Sequence, residues 1–533
     1  MKIYYSILFL LISTVMFSQE DAWVYFNAKP SAQTYLDSPL LMLSQRSLDR
    51  RTNQNIALNF SDIPLETTYV DQIKSSTGIT VMAQSKWLNA LHIRGTQVNI
   101  TALKNLAFVD KVVFANKNLN TTSKKVSENK IVQTNDKLKT TIDYAYGTSA
   151  NQIQMLNGQV LHQQNYTGSG KIIAVLDAGF PGVNTAQPFQ NLISNNRILG
   201  GYDFVSRSTN FYAGDDHGTM VLSTMGGYKE NELIGTAPDA SYYLFITEND
   251  ASENPVEESL WVEAAEKADS LGVDIITTSL GYFGYDNTNY SHTYSDMNGI
   301  TNFISRGAEI AFSKGIVVVA SAGNEGNMTE KHIGGPADAV SVITVGSVSA
   351  SKSRASSSSV GPTFDNRIKP DVMAQGAPAV VSNTLGNIIT ANGTSFSCPI
   401  MAGMIACLWQ AFPTKTNQEI RDMVIQSSDK YLTPDNNYGY GIPNFGTTLG
   451  ITTFENKDFI VYPNPAKTSI SFLFSNEIND ASVSIYSILG QKVIDKKITG
   501  QNPNLSVESL KSGLYFYTFD TDGLHKTGKI IKQ

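Results

Sequence analysis

Near-continuous apolar runs at 172–176, 242–246, 273–277, 316–320 and 340–345 mark the middle of the chain, with helically spaced stretches between them. Strands buried on both faces of a parallel sheet read this way, because helices cover both sides. One intervening helix carries its own punctuation. Asn254 stands at the N-cap, Pro255 follows, Glu257 closes a capping box, and Gly272 lies just past the end. A second helix runs over 299–314 and stops at Gly315. Region 144–450 is therefore expected to be a doubly wound α/β domain with ligands at the carboxyl ends of its strands.

The flanks have other patterns. Strands at 22–28, 79–83, 90–94 and 109–114, with helices at 69–76 and 100–106, give a βαββαβ order over 19–116. That order predicts a small α+β domain of the split βαβ type. Residues 117–143 lose apolar periodicity, gain Lys, Asn and Thr, and read as an exposed linker. From 456 to 533, short alternating strands with polar turns predict a compact β-sandwich. The start, 1–18, has Lys2 and then an apolar run over 7–17, too short to span a bilayer, and reads as a secretory signal peptide.

Composition narrows the function. The 533 residues are 41% hydrophobic and 16% charged, which favours a folded, multi-domain protein. Net charge is −7, with no run of five cations, so nucleic acid is not an expected partner. The two cysteines, Cys398 and Cys407, fall nine residues apart on one apolar helical run. About 13.5 Å of helical rise separates them, too far for a disulfide, so both read as small core residues.

Four residues at strand or helix ends suit acyl transfer. Asp177 ends the apolar strand 172–176, where a carboxylate can accept a histidine Nδ1 proton and fix the tautomer. His217, between Gly214-Asp215-Asp216 and Gly218-Thr219, opens an apolar run and is placed as a general base. His92, His162, His292, His332 and His525 lack that setting and read as structural. Asn324, in Ser321-Ala322-Gly323-Asn324-Glu325-Gly326, has an amide that could donate to an oxyanion. Ser395 follows Asn392-Gly393-Thr394 and starts a helical run, where free backbone amides and the helix dipole favour developing negative charge. Each alone has a plain alternative: a turn, a cap or a core residue.

Together, the chain order Asp177, His217, Asn324, Ser395 resembles the subtilisin-like serine proteases. Leu176-Asp177-Ala178-Gly179, His217-Gly218-Thr219, Ser279-Leu280-Gly281, Gly323-Asn324 and Gly393-Thr394-Ser395 carry the resemblance, with Pro399 and Ala402-Gly403 behind. It implies Ser395 as nucleophile, His217 as base and then acid, Asp177 as orienting carboxylate and Asn324 as oxyanion donor. It also implies that Ser279, Leu280 and Gly281, with Ser321, Ala322 and Gly323, hold the substrate backbone as an added strand. No cofactor is needed for such chemistry. Structural calcium is expected in the family but has no assigned ligands here; Asp215 and Asp216 read as loop charges. The Tyr-rich segment 282–297 is expected to be a solvent-facing insertion, with a contribution to peptide recognition as the alternative.

The resemblance extends to the flanks. Domain 19–116 is similar by order and size to the propeptide of these proteases, which assists folding and blocks the cleft. The C-terminal motifs Tyr462-Pro463-Asn464-Pro465, Ile485-Tyr486-Ser487-Ile488-Leu489-Gly490-Gln491 and Lys511-Ser512-Gly513-Leu514-Tyr515 resemble the sorting domain of type IX secretion substrates. A carbohydrate-binding sandwich is the rival there, weakened because none of the four tryptophans lies in 456–533. The expectation is a secreted or cell-surface serine endopeptidase, monomeric, made as a zymogen, with peptides, its propeptide and the secretion machinery as partners. An inert scaffold used for binding, and a processor of a few dedicated partners, are the alternatives.

Overall fold

The computed structural model describes residues 18–120, 144–449, 459–462, 466–474, 480–488, 490–499, 504–521 and 524–533. The expected signal segment up to residue 17, the linker from 121 to 143 and the Pro463-Asn464-Pro465 motif lie outside the described residues. Two compact units divide the chain, 1–446 and 447–533.

Seven parallel strands form the centre of the first unit. In spatial order they are Val372–Gln375, Ile343–Val348, Val317–Ser321, Ile275–Thr278, Ile172–Asp177, Ser241–Ile246 and Ile198–Asp203. The order reverses between Ile172–Asp177 and Ile275–Thr278, which pair in register from Ile173 and Ile275 to Leu176 and Thr278. Such a switch point opens a crevice at the carboxyl ends of the strands. Five of the seven strands correspond to the apolar runs in the sequence. Ile198–Asp203 and Val372–Gln375 do not, the first being a half-exposed edge strand with two glycines, the second only four residues long.

The helix Val256–Leu271 forms as its end signals dictate. Glu257 Oε2 accepts from Asn254 N at 3.1 Å, as the expected capping box requires. Asn254 Oδ1, however, accepts from Val256 N at 3.1 Å and not from Glu257 N, so only half of that box forms and the helix begins at Val256. Gly272 ends it with φ +82°. A Cβ there would also strike Arg46, at 2.8 Å from its Cβ, so glycine is required twice over.

The N-terminal strands form an antiparallel sheet in the order Ile79–Ser85, Ala90–Thr96, Gln19–Phe26, Val109–Phe114, as the split βαβ pattern predicts. The period-2 alternation of Gln19–Phe26 divides two cores. Ala22, Val24 and Phe26 pack with Val70, Ile73 and Ile100 of the domain's own helices. Trp23 and Tyr25 pack instead with Leu260, Phe303 and other residues of the α/β domain.

The sequence pattern did not predict the helix Gln45–Asn53, whose buried positions include Arg50 and Arg51. Arg51 Nη2 sits 2.7 Å from Asp269 Oδ2 and 2.9 Å from Asp62 Oδ1, and Arg50 pairs with the same Asp269. Hydrophobic patterning reads such a face as solvated, yet ion pairing buries it.

The second unit is described by itself. Phe459–Tyr462, Ser469–Phe474 and Asn504–Ser506 form one antiparallel sheet; Lys492–Thr499, Asp480–Ser487, Gly513–Thr521 and Leu524–Lys532 form another. Ile470 and Phe472 of the first share a core with Val483, Ile485, Phe519 and Ile530 of the second, the layering expected of a sandwich. Among the described residues, no helix is long and apolar enough to cross a membrane.

Candidate active site

Asp177 ends its strand on one side of the switch point, and Ser279 follows the neighbouring strand on the other. Asp177 is fully buried, and its Oδ1 accepts from Ala178 N at 2.8 Å and lies 2.7 Å from His217 Nδ1. His217 is the first residue of the helix His217–Gly226. Gly218 makes the approach possible, since a Cβ there would lie 2.3 Å from Gly179 O and 3.0 Å from Asp177 Cβ. The charge of Asp177 chiefly, helped by its hydrogen bond and opposed by burial, raises the His217 pKa to about 9.

Ser395 is the second residue of the helix Thr394–Ala411, so its amide belongs to the first turn, whose N–H groups have no acceptor within the helix. Pro399 lies inside that helix and cannot donate to the carbonyl four residues before it, which is that of Ser395. Ser279 Oγ fills the vacancy, donating to Ser395 O at 2.7 Å. The Ser395 hydroxyl is turned toward Ser279 O at 3.5 Å and makes no hydrogen bond to His217. The structure thus forms the Asp177–His217 pair and leaves the serine–histidine contact open. In sites without substrate such contacts are often long and close on binding.

Asn324 is exposed, in the loop that follows the strand Val317–Ser321. Its Oδ1 accepts from Thr394 N at 3.0 Å and from Thr394 Oγ1 at 3.2 Å, which leaves Nδ2 as the donor beside the start of the Ser395 helix. Thr394 was in the sequence motif, but its role was not legible there. Only the fold shows that it orients the Asn324 amide.

Ser279 and Leu280 are buried, and Gly281 is exposed with open space around its Cα. Ser321 and Ala322 are buried, while Gly323 is half-buried at the lip. These two segments lie at the carboxyl ends of adjacent strands, on the same edge as Asp177.

The loop 282–297 corrects the expectation of a solvent-facing insertion. Tyr282, Tyr285, Tyr290 and Met297 are buried. Tyr282 donates to Glu248 Oε2 at 2.6 Å and Tyr285 to Glu258 Oε1 at 2.6 Å. The N-terminal domain covers part of this loop, a long-range contact that no local pattern announces.

Among the described residues, Glu248, Glu253 and Glu257 bring carboxylate oxygens within 4.8 Å of one another. Burial, and for Glu257 the charge of Glu248, raise Glu248 to about 7 and Glu257 to about 9. Both Glu257 oxygens already accept backbone amides, of Asn249 at 3.0 Å and Asn254 at 3.1 Å. These bonds tie Glu257 to the start of the helix Val256–Leu271.

A parallel sheet with a histidine-bearing helix and a serine-bearing helix at its switch point defines a serine peptidase of the subtilase class, and the chain belongs to the subtilase family. The family model matches residues 168–441. A Bacteroidota peptidase S8 propeptide domain matches 21–133, and a secretion system C-terminal sorting domain matches 460–533. Subtilisin NAT of Bacillus subtilis subsp. natto is 34% identical over 295 residues, 55% of this chain and 69% of that protein. Serine protease AprX of Bacillus subtilis (strain 168) is 29% identical over 343 residues, 59% of this chain and 72% of that protein. The crystal structure of an epidermin leader peptide processing serine protease from Staphylococcus aureus shares the fold, with a TM-score of 0.53 at 15% identity, covering 82% of this chain and 99% of that one. The protein is therefore a subtilisin-family serine endopeptidase made with a propeptide, and its type IX sorting domain marks it for export.

Proposed function

We propose that this chain is a secreted or cell-surface serine endopeptidase that works through Ser395, His217, Asp177 and Asn324. The observation that carries the reading is the 2.7 Å contact between Asp177 Oδ1 and His217 Nδ1 beside a serine at a helix start. A peptide enters as a strand between Ser279–Gly281 and Ser321–Gly323. Ser395 Oγ attacks the scissile carbonyl carbon while His217 Nε2 takes its proton. Asp177 holds the Nδ1 proton and steadies the imidazolium. The oxyanion accepts from Ser395 N–H and Asn324 Nδ2, a pair of donors fixed in place before reaction. Collapse breaks the C–N bond as His217 protonates the leaving amine, and water then releases the acyl group by the same steps.

No cofactor takes part in these steps. The N-terminal domain keeps the site covered until it is removed, the first 18 residues act as a signal peptide, and the mature enzyme acts as a monomer. Labelling with a fluorophosphonate tests the centre of the reading. The matured chain is expected to be labelled, and Ser395→Ala is expected to lose the label; an unlabelled, correctly matured chain would mean an inert scaffold.

A further inference from the structure

The loop 282–297 continues directly from Ser279, Leu280 and Gly281. One side of it is fixed to the α/β domain. Tyr282 exchanges two backbone hydrogen bonds with Gly335, at 2.8 and 3.2 Å. Tyr285 Oη and His292 Nε2 lie 2.6 and 2.7 Å from the same Glu258 oxygen, and Tyr294 donates to Pro362 O at 2.9 Å. The loop is therefore held in shape by groups that belong to the enzyme.

Its other side meets the N-terminal domain through polar groups of matched sign. Tyr290 Oη donates to Glu20 Oε2 at 3.1 Å and lies 3.5 Å from Gln19 O. Asp296 Oδ2 accepts from Lys117 Nζ at 2.6 Å, and Ser291 O lies 3.5 Å from the same nitrogen. Gln19 and Glu20 open the first strand of that domain, while Lys117 follows its last strand by three residues. The loop thus holds the domain at both ends of its chain. Between these contacts lies a cavity of about 150 Å³, lined among others by Trp23, Lys111, Phe303 and Arg306. A joint with such a gap is less completely packed than a protein interior.

We propose that the loop 282–297 is a clasp for the chain's own propeptide, in which Tyr290 reads a carboxylate at position 20 and Asp296 reads a cation at position 117. The clasp makes the enzyme selective for a propeptide with that charge pair over others of the same fold. Selectivity of this kind is a difference between affinities, and unmatched polar groups on a foreign domain supply it. The inference rests on the N-terminal domain acting on the same site, but its contacts touch none of the reacting atoms.

The test uses the full chain carrying Ser395→Ala, so that it needs no catalysis. Hydrogen exchange is followed at the amides of Gln19–Phe26 and Val109–Phe114, with Ile172–Asp177 as internal reference. Tyr290→Phe removes a hydrogen bond to a charged group and is expected to speed exchange in the two propeptide strands about tenfold. Lys117→Glu, whose partner pair is partly exposed, is expected to speed it by about two- to fivefold. Glu20→Gln with Tyr290→Phe completes a double-mutant cycle, and the two effects should be strongly non-additive. Unchanged exchange in the single variants, or additive effects in the cycle, would overturn the clasp. In the catalytically intact chain, Tyr290→Phe should shed the propeptide about tenfold sooner, with kcat/KM on a short peptide unchanged once it is gone. A fall in kcat/KM of the freed Tyr290→Phe enzyme would place this loop in substrate binding and also overturn the proposal. An intact chain without activity but with coupled exchange would refute the assignment of Ser395 and leave the clasp standing.

Discussion

The hydroxyl of Ser279 donates to the carbonyl of Ser395 at 2.7 Å, in the place left vacant by the missing N–H of Pro399. One hydrogen bond thereby ties the segment expected to hold the substrate to the residue expected to attack it. Ser279→Ala leaves that carbonyl buried without its partner. A loss of about 1 kcal/mol, or about fivefold in kcat/KM, is expected, with the thermal midpoint shifted by only a few degrees. A variant with unchanged kcat/KM would show that the tie does not position Ser395.

Asn324→Ala removes the side-chain donor that Thr394 orients. As the proposed oxyanion donor it would act on charge that exists only in the transition state, so kcat should fall by about 10²–10³ with KM little changed. Thr394→Val keeps the amide but frees its rotation, and should give a smaller loss of the same kind. Steady-state kinetics on one peptide separates the two; a change in KM alone would move Asn324 to ground-state binding.

The pH dependence follows from the pair Asp177–His217. The His217 pKa is raised to about 9, chiefly by the charge of Asp177, and the imidazole accepts a proton from serine only when neutral. Acylation of the matured enzyme should therefore rise with pH through about 9. The stabilising effect of the pair has the opposite sense: it is complete below the ordinary histidine value and is lost as pH rises through about 9. Asp177→Asn should move the rise in activity to lower pH and cut kcat by about 10⁴. A pH–rate profile of the variant that keeps the wild-type midpoint would contradict this.

Glu266 is the carboxylate through which the helix Val256–Leu271 holds the turn of the propeptide. It accepts from Ser85 Oγ at 2.6 Å and from Lys86 N and Trp87 N at 2.9 Å. Burial nevertheless raises its pKa to about 7. A carboxyl raised on folding binds its proton more tightly in the folded chain, so its effect on stability weakens as pH rises from the ordinary glutamate value through about 7. Thermal midpoints of the uncleaved Ser395→Ala chain should fall over that window. Glu266→Ala should flatten the fall while lowering stability throughout, because three donors lose their acceptor.

Asp269→Ala should be the most damaging change at the same interface. Asp269 pairs with both buried arginines, and its removal leaves Arg50 without a carboxylate partner and Arg51 with Asp62 alone. A loss of about 3–5 kcal/mol is expected, read from urea unfolding of the Ser395→Ala chain. A loss below about 1 kcal/mol would mean that water reaches the arginines.

How far the sequence could be read depended on whether the cause of each feature was local. Asp177, His217, Asn324 and Ser395 stand in short motifs with glycines beside them, since close backbone approach, as at Gly218, leaves a mark in the sequence. The end signals of Val256–Leu271 were readable for the same reason, and its capping bonds connect neighbours two and three residues apart. The helix Gln45–Asn53 was not, because the acid that buries its arginines lies more than two hundred residues away. The tyrosines of 282–297 misled in the same way. Their composition suits a surface, yet Tyr282 and Tyr285 are held by Glu248 and Glu258 of the α/β domain and Tyr290 by Glu20 of a domain encoded at the other end of the unit.

The sequence by itself determined the family, the order of its three parts and which four side chains could carry the chemistry, since these follow from periodicity and from motifs of a few residues. Only the tertiary structure decided that His217 is within 2.7 Å of Asp177 but not yet bonded to Ser395, that Thr394 turns the Asn324 amide, and that the tyrosines of a loop read as free surface are buried, Tyr290 against the propeptide. Those outcomes depend on distances between residues remote in the chain, set by sheet order and packing.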